Sequence, residues 1–182
     1  MTATETLKHE HRVIELVLGA VDREARKAVK GEPVDPSFFA QAIEFIRTFA
    51  DKCHHGKEET ALFPAMAKAG IPVEQGPIGV MLAEHDEGRR YIRGMGEALE
   101  AYKRGEQSAR KPLAENARGY ASLLAQHIQK EDNILFPMAN QVLSDAEQQR
   151  LIGEFDRIES EKIGPGVHEH YHQMIDELDP AV

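Results

Sequence analysis

The chain repeats itself in register, and that repeat limits its fold more than any other feature. HHGKEETALFP at 54–64 and HIQKEDNILFP at 127–137 agree at His, Lys, Glu, Leu, Phe and Pro, at a constant separation of 73 residues. Glu10-His11 and Glu84-His85 recur 74 residues apart. The sequence therefore reads as two copies of a helical hairpin. His11 and His54 are separated by 43 residues and His85 and His127 by 42, so each hairpin lifts its two imidazoles to a similar height. Pseudo-twofold packing would gather all four.

Within each copy, His54 and Glu58, and likewise His127 and Glu131, stand four residues apart, on one helix face a single turn from each other. The candidate metal ligands are His11, His54, Glu58, His85, His127 and Glu131. Mixed imidazole and carboxylate ligation suits iron, manganese or zinc, and carboxylates able to bridge favour two metals over one. An isolated histidine on an apolar helix face is more often a hydrogen-bonded core residue, and a single HxxxE more often a surface pair. Recurrence in register on four helices tips the balance to metal. Without a cation the two carboxylates would be buried near one another, each unpaired ion costing several kcal/mol, so metal is expected to stabilise the fold.

Hydrophobic spacing supplies the helices. Leu7, His11, Ile14, Leu18 and Val21 predict a first helix over about 5–30, with Gly31 as its stop. Asp35 as N-cap and Pro36 at the first helical position open a second, reaching about Ala69 with a bend at Pro64. A Gly/Pro-rich loop leads to a third over about 78–104, and a fourth over about 108–142 bends at Pro137. Ser144 and Glu147 form a capping box for a fifth ending near Glu159, and VHEHYHQMIDEL, 167–178, reads as a short final helix. The expectation is an all-α, up-down-up-down four-helix bundle with extra C-terminal helices. It forms one domain over 1–182, with a core at about 5–142 and an extension at 143–182. Gly88 on the third helix suggests close helix approach near the metal level.

Composition excludes partners. With 31 Asp+Glu against 22 Lys+Arg the formal charge is −9, which repels phosphate backbones and anionic lipid. No stretch has the ~18 consecutive apolar residues of a membrane span, and the N-terminus lacks the pattern of a signal peptide. The single cysteine, Cys53, forms no internal disulfide and abuts His54, with inert packing its ordinary role. A cytoplasmic protein is expected, its oligomeric state left open.

At the two HxxxE–LFP units and the two Glu-His pairs, the chain resembles the hemerythrin-like family, or HHE cation-binding domain, over about residues 5–142. The resemblance implies a non-haem di-iron centre, oxo- or hydroxo-bridged, inside a four-helix bundle. Glu58 and Glu131 would bridge, His11 and His54 would serve one iron, and His85 and His127 the other. It also implies reversible O2 binding, oxidant sensing, iron handling, or nitric oxide or peroxide responses. Related repair proteins for iron–sulfur clusters usually carry an additional N-terminal Cys-containing segment, and its absence here counts against that role. Oxygen carriers have HxxxH on the third helix, whereas the residue four after His85 is Arg89. Substitutes for the missing nitrogen are His55, Tyr120, His168 and His172. Each has a bland alternative: His55 lies about 100° round an α-helix from His54, beside the centre or exposed, and Tyr120 fills the core with its hydroxyl bonded. His9 and His170 are expected at the surface.

Ferritin-like di-iron bundles need Glu-x-x-His on two helices, but Asp51 and Leu124 precede His54 and His127 by three. A structural zinc site would favour a closed Cys/His set, and there is no second cysteine. The leading expectation is a di-iron protein binding O2 or a related small diatomic or peroxide. Peroxide or nitric oxide turnover assisted by Arg89 or Tyr120, and metal storage or sensing, are the alternatives.

Overall fold

The computed structural model describes residues 1–162 and Gly164; the expected final helix, with His168, His170 and His172, lies outside them. The described residues are helical and contain no strand. Helix α1 covers Ala3–Val29 and starts two residues earlier than the spacing predicts, because Thr2 and Glu5 form a reciprocal capping box. Helix α2 spans 36–68 and is capped by Asp35, whose side chain accepts from the N–H groups of Ser37 and Phe38. Helix α3 covers Pro77–Lys103. A 3-10 turn, Gln107–Ala109, leads into α4 over 110–142, and α5 covers Asp145–Lys162 behind the predicted Ser144–Glu147 box. Gly31 and Gly105 end their helices at φ 91° and 96°, backbone that glycine adopts at no steric cost.

The turn before each proline widens to i→i+5 hydrogen bonding, over Glu58–Leu62 in α2 and Glu131–Leu135 in α4. The Phe63 and Phe136 N–H groups donate to the carbonyls of Glu58 and Glu131. An α-helical turn at those points would press each proline ring on the carbonyl four residues back, and the wider turn relieves that contact. A second, longer widened stretch runs through Ile46–His55, and the Gly56 N–H reaches Asp51 O.

Helix α4 lies along both α1 and α3, while α5 covers α1 and the widened part of α2. The apolar core is split in two. One cluster holds Ile14, Val21, Phe45, Phe49, Met95 and Leu113; the other holds Leu7, Phe63, Met66, Ile78, Phe136 and Phe155. On each of α1 to α4, the sequence-predicted ligands fall where one cluster gives way to the other, so hydrocarbon closes the polar layer from both ends. Gly88 sits at a close approach, since a Cβ there would lie 3.4 Å from the Tyr120 ring. No helix among the described residues is long and apolar enough to cross a membrane.

Candidate metal centre

All six predicted residues meet in the layer between the two apolar clusters, each at most 1% exposed. Two groups form. His11, His54, Glu58 and Glu131 each offer one ligand atom within 4.8 Å of the other three, and His55, Glu58, His85 and His127 do the same. Glu58 belongs to both groups: its Oε1 is 3.5 Å from His54 Nε2 and its Oε2 is 3.5 Å from His85 Nε2. Glu131 Oε2 stands 3.2 Å from His11 Nε2 and 3.3 Å from His127 Nε2. Each carboxylate thus lies between imidazoles of different hairpins, the placement a bridging ligand needs.

A carboxylate on the far side orients every one of the four repeat-matched imidazoles. His54 Nδ1 donates to Glu10 at 2.8 Å and His127 Nδ1 to Glu84 at 2.9 Å. His85 Nδ1 donates to Glu59 at 2.7 Å and His11 Nδ1 to Asp132 at 2.8 Å. An ionised carboxylate only accepts, so Nδ1 carries the proton and each Nε2 lone pair faces inward. These outer groups obey the repeat too, at the Glu-His pairs and at the acidic residue after Glu58 and after Glu131. That regularity was the signal for them in the sequence. Lys57 and Lys130, the matched lysines, complete the pattern by donating to Glu10 and Glu84.

Among the described residues, His11 Nε2 and both oxygens of Glu58 and of Glu131 are buried with no hydrogen bond, while His85 Nε2 and His127 Nε2 face each other at 3.1 Å. Two lone pairs at that distance, beside two carboxylates in a dry core, require protons or cations between them. Without metal, burial and then the charge of Glu131 push the Glu58 carboxyl well above the usual range, so that it keeps a proton. Burial, the largest effect at Glu10, opposes ionisation, but His54 and Lys57 outweigh it and hold that carboxyl at about 2. The donor set fits iron, manganese or zinc.

Of the readings open for His55, the exposed one is excluded. The residue is buried, 4% exposed, and stacks on His85 with ring centroids 3.8 Å apart. The wide turn around it lowers the rotation per residue, so His54 and its neighbour both face the interior. Burial, followed by the nearby His85, depresses its pKa, which leaves a neutral imidazole. Arg89 supplies no nitrogen ligand. It is a brace, donating to Asp51 at 2.9 Å, Glu59 at 2.7 Å and Asp86 at 3.1 Å, and so it fixes the carboxylate that orients His85. The Tyr120 hydroxyl, expected to be bonded, is buried without a partner among the described residues. Cys53 is inert packing: burial raises its thiol to about 12, and it joins neither ligand group. His9 is exposed as expected.

An all-helical bundle whose buried histidines and carboxylates converge on cation-sized spaces defines a cation-binding helical domain. The chain belongs to the hemerythrin HHE cation-binding domain family, whose model matches residues 2–139. Uncharacterized proteins of Mycobacterium bovis and Mycobacterium tuberculosis are 27% identical over 165 residues, covering 90% of this chain and 64% of theirs. The iron-sulfur cluster repair protein YtfE of Yersinia pseudotuberculosis is 32% identical over 142 residues, covering 72% of this chain and 59% of its own. The chain thus spans less than two thirds of the length of these relatives.

Proposed function

We propose that the protein holds two iron ions side by side in an up-down-up-down bundle and binds O2 or a related small oxidant there. The observation that carries this reading is the pair of ligand groups sharing Glu58, with their inward lone pairs unpartnered. His11 and His54 would hold one ion and His85 and His127 the other, with Glu58 and Glu131 bridging. His55 would supply a fifth nitrogen in place of the histidine that Arg89 displaces. Iron supplies one-electron redox chemistry and an exchangeable coordination position. Glu10, Glu59, Glu84 and Asp132 fix the ring orientations, and the flanking apolar clusters exclude bulk water.

Iron and zinc analysis of anaerobically purified protein, with optical spectra before and after O2, tests this. About two iron per chain and a spectrum altered by O2 are expected for a di-iron site; reversal on degassing supports carriage or sensing, and irreversible oxidation with peroxide decay supports catalysis. A colourless protein holding only zinc overturns the oxidant reading. The resemblance to YtfE favours a second reading, delivery of iron to damaged clusters, for which iron transfer to a cluster-free ferredoxin is the discriminating assay.

A further inference from the structure

The repeat matches the two halves of the bundle helix for helix, yet the matched outer seams differ. Helix α5 lies on α1 and on the widened Glu58–Leu62 turn of α2, where Ala61 is 4% exposed. The repeat separations carry Thr6 to Val80 and Ala61 to Ile134. These are larger apolar side chains, and they stand 48% and 54% exposed. They are also neighbours. Contacts between α3 and α4 run from Gly94 against Asn116, through Gly88 against Tyr120, to Glu84 against Lys130. One further turn along each helix brings Val80 beside Ile134. Both meet solvent where the seam of the first half meets α5.

The outward face of α4 extends this patch without charge. From Ser122 to Gln141 every exposed residue of the helix is uncharged, among them the amides Gln126, Gln129 and Asn133. The chain as a whole is 29% charged residues with a net −9, and over a similar length α1 exposes Glu5, Arg12, Arg23 and Arg26. Lys130 at the border with α3 is held by Glu84, and Asp132 at the border with α1 by Arg12. A centre depleted of charge with ion pairs at its rim is the composition of a protein interface. The helix rises about 28 Å over these residues, and the adjoining flanks of α1 and α3 widen the face to about 30 Å, close to the ~800 Å² per partner of a stable complex.

We propose that this α3/α4 face docks a second copy of the chain in a two-fold dimer, with Ile134 and Val80 as its apolar anchors. A two-fold axis sets a surface against itself, so an unpaired charge in it would approach its own like. An uncharged face escapes that repulsion, and amide side chains serve as donor and acceptor at once. Two copies at −9 repel each other over the rest of their surface, which confines their contact to this face. A partner of different sequence is selected by complementary charge, for which the centre of the face offers nothing. The assembly does not depend on which ion the bundle holds.

Sedimentation equilibrium of the full chain as purified, over a range of protein concentrations, tests this. A species of twice the 20.4 kDa of one chain is expected, and added salt should strengthen association by screening the net charge. Ile134→Glu places an unpaired charge in the interface twice per dimer and lowers the association constant at least about a hundredfold. Gln129→Glu, at a position whose exposure tolerates charge in the separate chain, acts in the same direction. Circular dichroism and metal content match the wild type in both variants. Val29→Glu adds the same charge at an exposed apolar residue that ends α1, and leaves the dimer intact. A wild-type chain that stays monomeric at its highest soluble concentration overturns the proposal, whether the face then takes another partner or none. So does a dimer that tolerates both Ile134→Glu and Gln129→Glu, one weakened equally by Val29→Glu, or one that salt dissociates.

Discussion

Lys57 and Lys130 occupy the same position in the repeat and donate to equivalent glutamates, yet their surroundings differ. Lys57 is 1% exposed beneath α5, bonded to Glu10 at 2.5 Å and to Glu159 at 3.1 Å, with the Phe155 ring 5.9 Å away. Lys130 is 37% exposed and, among the described residues, pairs with Glu84 alone. Removing one partner of a buried ion pair leaves an uncompensated charge and costs about 3–5 kcal/mol. Removing an exposed partner costs ~0–1 kcal/mol. In a chain of this size each kcal/mol moves Tm by about 2–4 °C. Lys57→Met is therefore expected to lower the Tm of chelator-treated protein by about 6–20 °C, and Lys130→Met by no more than ~4 °C. Urea unfolding followed by circular dichroism gives the free energies directly. Adding Glu10→Gln to Lys57→Met should recover part of the loss, because the stranded charge is gone while a Gln oxygen still accepts from His54. Equal losses for the two lysine variants, or no recovery with Glu10→Gln, would refute the argument from burial.

The remaining expectations concern the centre and one turn. Glu58→Gln removes the carboxylate common to both ligand groups, so metal content measured by mass spectrometry should fall, along with the Tm gain on adding metal; full retention contradicts the bridging role. In metal-free protein burial is the largest effect on His127 and lowers its pKa, but Glu131 and Glu84 prevail and raise it to about 9 from an ordinary 6.5. A raised histidine stabilises the fold fully below its unfolded value, and that contribution is lost as pH rises through the folded one. Metal-free protein should hence lose Tm between about pH 6.5 and about pH 9, whereas metal affinity, which requires that proton to leave, should climb over the same interval. An affinity flat across it would be inconsistent with a protonated His127. Gly76→Ala would bring a Cβ to 2.3 Å from the Pro72 carbonyl oxygen, a backbone atom that cannot swing aside. A loss of about 1–3 kcal/mol in urea unfolding is expected for such overpacking.

The sequence by itself determined the helices, most of their ends, and the six residues that converge. These follow from local rules: apolar spacing, the Asp35 and Ser144 caps, the glycine stops, and a four-residue interval that shares a helix face. The outer carboxylates were readable as repeated letters, but not as partners, because each reaches a histidine on a different helix. The standing of His55 was decided only in three dimensions. On a regular α-helix it turns away from His54; the wide i→i+5 turn brings it in. Equally, nothing local separates Lys57 from Lys130. One is sealed by α5 and the other faces solvent, and the energy of a charge depends on the dielectric that tertiary packing places around it.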